Sequence, residues 1–142
     1  MDAKVSWKGG MSFDGSAGSG FTLPLGTSAE FGGAQDGFRP MELLLVGLAG
    51  CTAMDVMSIL QKKRQDVTGF EVRVQGEQGS EHPKVFTDIT IEFLVTGRGL
   101  DPAAVERAVE LSSTKYCSAE AMLAEVARIE HKVTILEAQI DS

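Results

Sequence analysis

Cysteine and histidine are scarce in this sequence, with two of each, and their positions exclude several kinds of site. Cys51 and Cys117 are 66 positions apart, so the chain has neither a C-x-x-C redox motif nor a zinc-ribbon pair. Neither His82 nor His131 stands at a ligand spacing from a cysteine, and no local pattern indicates a Cys2His2 zinc site. We therefore predict no metal and no cofactor.

Positive charge is also in short supply, with 13 Lys and Arg against 20 Asp and Glu and a net charge of −7. Because the basic residues form no stripe, we expect no nucleic-acid partner. The N-terminus lacks the pattern of a secretory signal. The apolar run from Met41 to Leu60 is long enough to suggest a membrane span, but Glu42 and Asp55 within it argue against one. We expect a cytoplasmic protein without a membrane partner, in which cysteines are more often reduced or catalytic than structural.

The apolar periodicity predicts an α+β fold in a single domain of residues 1–142. Short apolar segments separated by glycine-containing turns predict an antiparallel β-meander over residues 1–38. Pro40 fits the first turn of a long central helix that runs to about Lys63. Further along, the pattern predicts strands around 70–74, 89–95 and 133–135, a helix from Asp101-Pro102, and a short helix from Ser118 that carries Val126.

The surroundings of the two cysteines leave two interpretations open. Cys51 lies in the longest apolar run, where a thiol is expected to be buried, and buried thiols are usually inert. Cys117 follows Lys115 and precedes a helix start, which are the more electropositive surroundings. Local chemistry alone therefore ranks Cys117 as the more reactive thiol. If the two thiols meet in the fold, they are a redox pair; otherwise they are core residues.

Two segments of the sequence together resemble the OsmC/Ohr superfamily of osmotically inducible and organic hydroperoxide resistance proteins. They are RPMELLLVGLAGCTA at residues 39–53 and KYCS at residues 115–118. The resemblance covers nearly the whole chain and is closest to the YhfA-like branch. It implies an intertwined homodimer in which two long central helices pack together and the active site forms at the subunit interface. It also implies a thiol peroxidase that acts in oxidative stress defence.

The resemblance assigns a role to each cysteine. Cys51 would be the peroxidatic thiol, which reduces an organic hydroperoxide to an alcohol and becomes a sulfenic acid. Cys117 would be the resolving thiol, which forms a Cys51–Cys117 disulfide that an external dithiol reduces.

The thiolate is the nucleophile in this chemistry, so a neighbouring group must favour ionisation of Cys51. The resemblance points to an arginine and a glutamate, here Arg39 and Glu42. The family glutamate stands ten positions before the first cysteine, where this chain has Met41; Glu42 is nine positions before, turned by about 100° on a helix. Arg39 precedes Cys51 by roughly 18 Å of helix, so we expect it to act from the partner subunit or through Glu42.

A second function class is consistent with the same resemblance. The chain would then be a non-catalytic protein of the OsmC fold that binds a small hydrophobic ligand in the interface cleft or senses redox state through its thiols. The shifted glutamate and the lack of any arginine before Arg39 favour this alternative. Asp55, one turn beyond Cys51, is a like charge that opposes thiolate formation.

Overall fold

The computed structural model describes residues 1–139, which form two compact units. The first unit is Met1–Leu44, the second begins at Leu45, and the boundary between them falls inside the first long helix. The α+β fold class expected from the sequence is confirmed, with two three-stranded sheets and three α-helices within the described residues. The single domain expected over residues 1–142 stays a prediction.

The first unit contains the β-meander that the sequence predicts. Strands β1 (Ala3–Trp7), β2 (Phe13–Ala17) and β3 (Thr22–Leu25) pair antiparallel in that order. The turn between β1 and β2 contains Gly9 and Gly10 at φ of 106° and 56°, in the left-handed region that glycine adopts without strain. Its two ends are held in register by the pairing of Trp7 with Phe13.

Helix α1 (Pro40–Lys62) buries one narrow stripe of side chains, spaced four residues apart: Leu48, Thr52, Val56 and Leu60. This spacing places them on one face of the helix. Elsewhere on α1, Leu44, Val46 and Met54 are exposed in the single chain. By length and composition α1 is apolar enough to cross a membrane, and only 22% of its apolar window is buried. Much of the apolar surface of α1 therefore remains uncovered within the chain.

The second unit is built around strand β5 (Phe86–Arg98), which lies between β4 (Asp66–Gln78) and β6 (Arg128–Glu137). Strand β5 pairs antiparallel with β4 and parallel with β6. Its alternating apolar residues are fully or almost fully buried: Ile89, Ile91, Phe93 and Val95. On β4, a Cβ at Gly76 would lie 2.7 Å from the ring of Phe86, so only glycine allows this close approach.

The parallel pairing of β5 and β6 requires a crossover, and that crossover contains the remaining helices. Helix α2 (Pro102–Leu111) starts at Asp101, whose side chain accepts a hydrogen bond from the N–H of Ala103 at 3.1 Å. A π-helical turn (Ser112–Tyr116) and helix α3 (Ser118–Leu123) follow. The prediction that this short helix carries Val126 is wrong, because the carbonyl of Leu123 accepts from both Val126 and Ala127 and the chain tightens into a turn.

Candidate functional site

Helix α1 presents Cys51 and Asp55 one turn apart, beside its buried stripe. Thr52, the residue after Cys51, belongs to that stripe and is 1% exposed. Cys51 and Asp55 are four residues apart and are both half-buried. Because side chains at positions i and i+4 lie on the same side of a helix, the thiol and the carboxylate occupy one local surface.

The π-helical turn places Cys117 at the start of α3. The Cys117 N–H donates to the carbonyl of Ser112 at 2.8 Å, a bond that spans five residues as in a π-helix. The Cys117 sulfur then accepts from the N–H of Glu120 at 3.4 Å, so the thiol caps α3. Cys117 is 3% exposed. The expected helix start after Cys117 is therefore confirmed, and hydrogen bonds hold both the backbone N–H and the sulfur of this residue.

The fold brings the two cysteines together. Both are free thiols, and the sulfurs of Cys51 and Cys117 and a carboxylate oxygen of Asp55 all lie within 4.8 Å of one another. The second unit alone supplies this cluster, since α1 carries Cys51 and Asp55 and the crossover carries Cys117. A thiol pair at this separation can exchange hydrogen bonds and can approach further to form a covalent bond.

A buried hydrogen-bond chain holds the Asp55 carboxylate. The hydroxyl of Ser112 donates to Oδ2 of Asp55 at 3.0 Å, and the hydroxyls of Ser112 and Thr52 lie 2.8 Å apart. Because the single Ser112 proton is used on Asp55, Thr52 donates to Ser112. Sequence reasoning gave no role to Thr52, which lies in the segment at residues 39–53. It also gave none to Ser112, which directly follows the end of α2.

The surroundings of Cys117 shift the pKa of its thiol. Burial raises the pKa of the Cys117 thiol to about 12; the Glu120 N–H acts in the opposite direction, and the hydrogen bond and charge of Cys51 raise the pKa again. Cys117 therefore stays protonated at neutral pH and can donate its proton toward Cys51. The raised pKa disagrees with the sequence-based ranking of Cys117 as the more reactive thiol, because burial disfavours its thiolate. The Lys115 ammonium lies 5.2 Å from the centroid of the Tyr116 ring.

A buried acid, Glu120, lies on α3 three residues after Cys117. Glu120 is 4% exposed, and its Oε1 lies 2.6 Å from Nε2 of His131 and accepts from the Ser113 hydroxyl at 3.0 Å. Its Oε2 is buried and has no hydrogen-bond partner within residues 1–139. The His131 ring stacks on Phe93 with centroids 6.3 Å apart. The spacing of Glu120 three residues after a capping residue is the signal of a capping box, but its side chain bonds to His131 and Ser113 instead.

Arg39 and Glu42 lie in the first unit, at the start of α1. The Arg39 backbone N–H donates to Oε1 of Glu42 at 2.8 Å, so the carboxylate satisfies a free donor at the helix terminus. Both side chains are exposed, and the ion pairs found within residues 1–139 do not include Arg39. The two residues line a shallow polar groove with Thr27, Ser28 and Gln35.

Comparison with known proteins identifies the class. A family model described as "OsmC-like protein" matches residues 32–132, and the chain belongs to this family. Over 139 residues the chain is 43% identical to Protein YhfA of Escherichia coli K12, covering 97% of this chain and all of that protein.

Solved structures agree with this assignment. A hypothetical protein from Aquifex aeolicus VF5 superimposes with a TM-score of 0.85 at 28% identity, covering 97% of each chain. The organic hydroperoxide resistance protein OhrB of Bacillus subtilis superimposes with a TM-score of 0.64 at 17% identity, covering 94% of this chain and 98% of its own. At that identity the likeness to OhrB concerns the fold alone.

Proposed function

We propose that this protein is a thiol peroxidase that reduces organic hydroperoxides in oxidative stress defence. The observation that carries the proposal is the pair of free thiols, Cys51 and Cys117, within 4.8 Å of each other. Membership of the OsmC-like family supports it, as do structural neighbours named as organic hydroperoxide resistance proteins.

In the first step the Cys51 thiolate attacks the O–O bond of the hydroperoxide. The bond breaks, the outer oxygen stays on sulfur as a sulfenic acid, and the alkoxide leaves and takes a proton to become an alcohol. Cys51 is suited to this role because it is half-buried and reachable, whereas Cys117 is buried with a pKa raised to about 12. The Cys117 S–H can donate to the Cys51 thiolate and hold it in place.

In the second step the Cys117 sulfur attacks the sulfenic acid sulfur. A Cys51–Cys117 disulfide forms, and the sulfenic oxygen leaves with the Cys117 proton as water. The two sulfurs must close from within 4.8 Å to a bond of about 2.05 Å. An external dithiol then reduces the disulfide and restores both thiols.

For activation of Cys51 we infer a contribution from Arg39 of a second subunit, with Glu42 fixing the position of Arg39. The exposed Arg39 side chain, outside the ion pairs within residues 1–139, is available to another chain. A guanidinium near the thiolate would favour its ionisation and offset the like charge of Asp55.

A homodimer is part of this proposal. Leu44, Val46 and Met54 on α1 are 49%, 55% and 76% exposed, and only 22% of the apolar window of this helix is buried. A second α1 would cover that surface. The free thiols suit a reducing compartment, and we place the protein in the cytoplasm.

The alternative is binding of a small hydrophobic ligand without catalysis. It is favoured by an apolar groove of about 430 Å³ in the first unit, whose lining includes Phe21, Leu23 and Leu43. A thiol titration separates the two functions. A peroxidase loses two thiols per chain on treatment with one equivalent of organic hydroperoxide, whereas a binding protein retains both.

Turnover tests the proposal itself. With dithiothreitol as the external dithiol, the wild-type protein should consume cumene hydroperoxide over many cycles, and Cys51→Ser should not. In Cys117→Ser, Cys51 should be oxidised once by the hydroperoxide, but repeated turnover should be slower than in the wild type. This result would agree with the roles assigned to the two cysteines. Equal consumption by the wild type and by Cys51→Ser would refute the proposal.

A further inference from the structure

The cluster of Cys51, Asp55 and Cys117 has a composition that suits a metal ion as well as a peroxide. Two thiols and one carboxylate present ligand atoms within 4.8 Å of one another. Thiolate sulfur is a soft ligand that selects zinc over magnesium or calcium, and carboxylate oxygen is a common further ligand of zinc. Sequence spacing could not indicate this set, because Cys117 lies 62 positions beyond Asp55.

The separations are close to those around a zinc ion. With Zn–S bonds of about 2.3 Å in tetrahedral geometry, two sulfur ligands lie about 3.8 Å apart. Ligand atoms that already lie within 4.8 Å therefore need to move by about 1 Å at most. Cys51 and Asp55 are half-buried while Cys117 is buried, which leaves an open side for entry and for a fourth ligand.

Two of the three residues, Asp55 and Cys117, accept hydrogen bonds of the kind that orients metal ligands. Ser112 donates to the Asp55 carboxylate and is itself supported by Thr52, and the Glu120 N–H donates to the Cys117 sulfur. The ion pairs found within residues 1–139 do not include Asp55. Two thiolates with this carboxylate would carry three negative charges, and a divalent cation would leave one.

We propose that the reduced protein binds one Zn²⁺ through Cys51, Asp55 and Cys117, with water as the fourth ligand. Binding needs only the reduced thiols and does not depend on peroxidase activity. A disulfide and the zinc site exclude each other, because both use the same sulfurs. If the proposed function holds, two thiolates bound to one Zn²⁺ react with one hydroperoxide and two protons to give the disulfide, one alcohol, one water and free Zn²⁺.

The test is a zinc titration of reduced, metal-free protein against a chromogenic chelator, with no peroxide present. We expect one Zn²⁺ per chain for the wild type, with affinity at least 100-fold weaker in Cys51→Ser and Cys117→Ser and at least tenfold weaker in Asp55→Ala. Cobalt should give intense sulfur-to-metal charge-transfer absorption in the wild type, which both serine variants reduce. Glu106→Ala, on the exposed side of α2, is the control and should bind as the wild type does.

Absence of stoichiometric zinc binding to the fully reduced wild type would overturn the proposal, as would equal binding by the Cys51→Ser/Cys117→Ser double variant. Wild-type affinity in Asp55→Ala would remove Asp55 from the site and refute the three-residue set. Circular dichroism establishes that each variant is folded. Failure of peroxidase turnover alongside zinc binding would refute the proposed function alone, so the two proposals can be judged separately.

Discussion

The sulfur of Cys117 accepts a hydrogen bond from the backbone N–H of Glu120 at 3.4 Å and thereby caps helix α3. The residue has a structural role in addition to its proposed chemical one. Serine is among the preferred N-cap residues and alanine is not. Substitution of Cys117 by serine or by alanine therefore separates its capping role from its chemical role.

We predict that Cys117→Ala is less stable than Cys117→Ser by about 1 kcal/mol, because serine restores the cap and alanine leaves a helix donor unsatisfied. Urea unfolding of both variants under reducing conditions measures the difference. Neither variant can form the disulfide, so their chemistry is matched. Equal midpoints and slopes would show that the Cys117 sulfur does not stabilise α3.

The raised pKa of Cys117 makes the stability of the reduced protein depend on alkaline pH. Burial raises this pKa from 9.0 to about 12, so the folded state holds the thiol proton over a range in which the unfolded chain has lost it. The contribution is complete below about pH 9 and decreases as pH rises from 9 toward 12. Unfolding with EDTA present should show a steeper alkaline loss for the wild type than for Cys117→Ser. If stability falls equally with pH in the wild type and in Cys117→Ser, the pKa of Cys117 is not raised by folding.

Substitution of Glu42 is expected to lower stability, whereas substitution of Arg39 is expected to slow the oxidation of Cys51. Glu42→Ala should destabilise the protein by about 1 kcal/mol, since Glu42 accepts the Arg39 N–H at the start of α1. Arg39→Ala should leave the melting temperature nearly unchanged but slow oxidation of Cys51 by at least about tenfold, about 1.4 kcal/mol of barrier. Stopped-flow oxidation and thermal melts measure the two effects. If Arg39→Ala is oxidised at the wild-type rate, Arg39 and Glu42 have only a structural role at the start of α1. The cations to test next for activation of Cys51 would be Lys4, Lys8 and Lys115.

The proposed dimer is tested at Gly47 and Gly50. Within residues 1–139, a Cβ at either position would have no atom within 4 Å apart from the adjacent backbone of α1, so a side chain added there begins in open space in the single chain. Gly47→Leu and Gly50→Leu should therefore weaken association of two α1 helices, although leucine also raises helix propensity. Light scattering should report a dimer for the wild type and a monomer for these variants, with Ala103→Leu on the exposed side of α2 as the control. A wild-type monomer of 15.1 kDa would refute the dimer.

The elements of this fold could be predicted from local signals in the sequence. Glycine turns indicated the meander, Pro40 indicated the start of α1, and alternation of apolar residues indicated β5, since each depends on neighbours in the chain. The end of α3 was misplaced, because it depends on which N–H groups the Leu123 carbonyl accepts.

The candidate site was only partly predictable, because it depends on contacts that form only in the folded chain. The resemblance to the family named Cys51 and Cys117, but the hydrogen bonds of Ser112 and of Glu120 join residues that are far apart in sequence. The sequence pointed to Cys117 as the more reactive thiol because Lys115 is visible in the sequence, whereas the burial that raises the Cys117 pKa is a property of the folded chain.

Peptide mapping shows whether Cys51 and Cys117 form one redox pair. Reduced protein is treated with cumene hydroperoxide, the remaining thiols are blocked, and a non-reduced digest is examined by mass spectrometry. We predict a Cys51–Cys117 linked peptide from chains that migrate as monomers on a non-reducing denaturing gel. Cys117→Ser should instead accumulate the Cys51 sulfenic acid, trapped by dimedone. If both thiols can still be alkylated after excess hydroperoxide, Cys51 and Cys117 are not a redox pair.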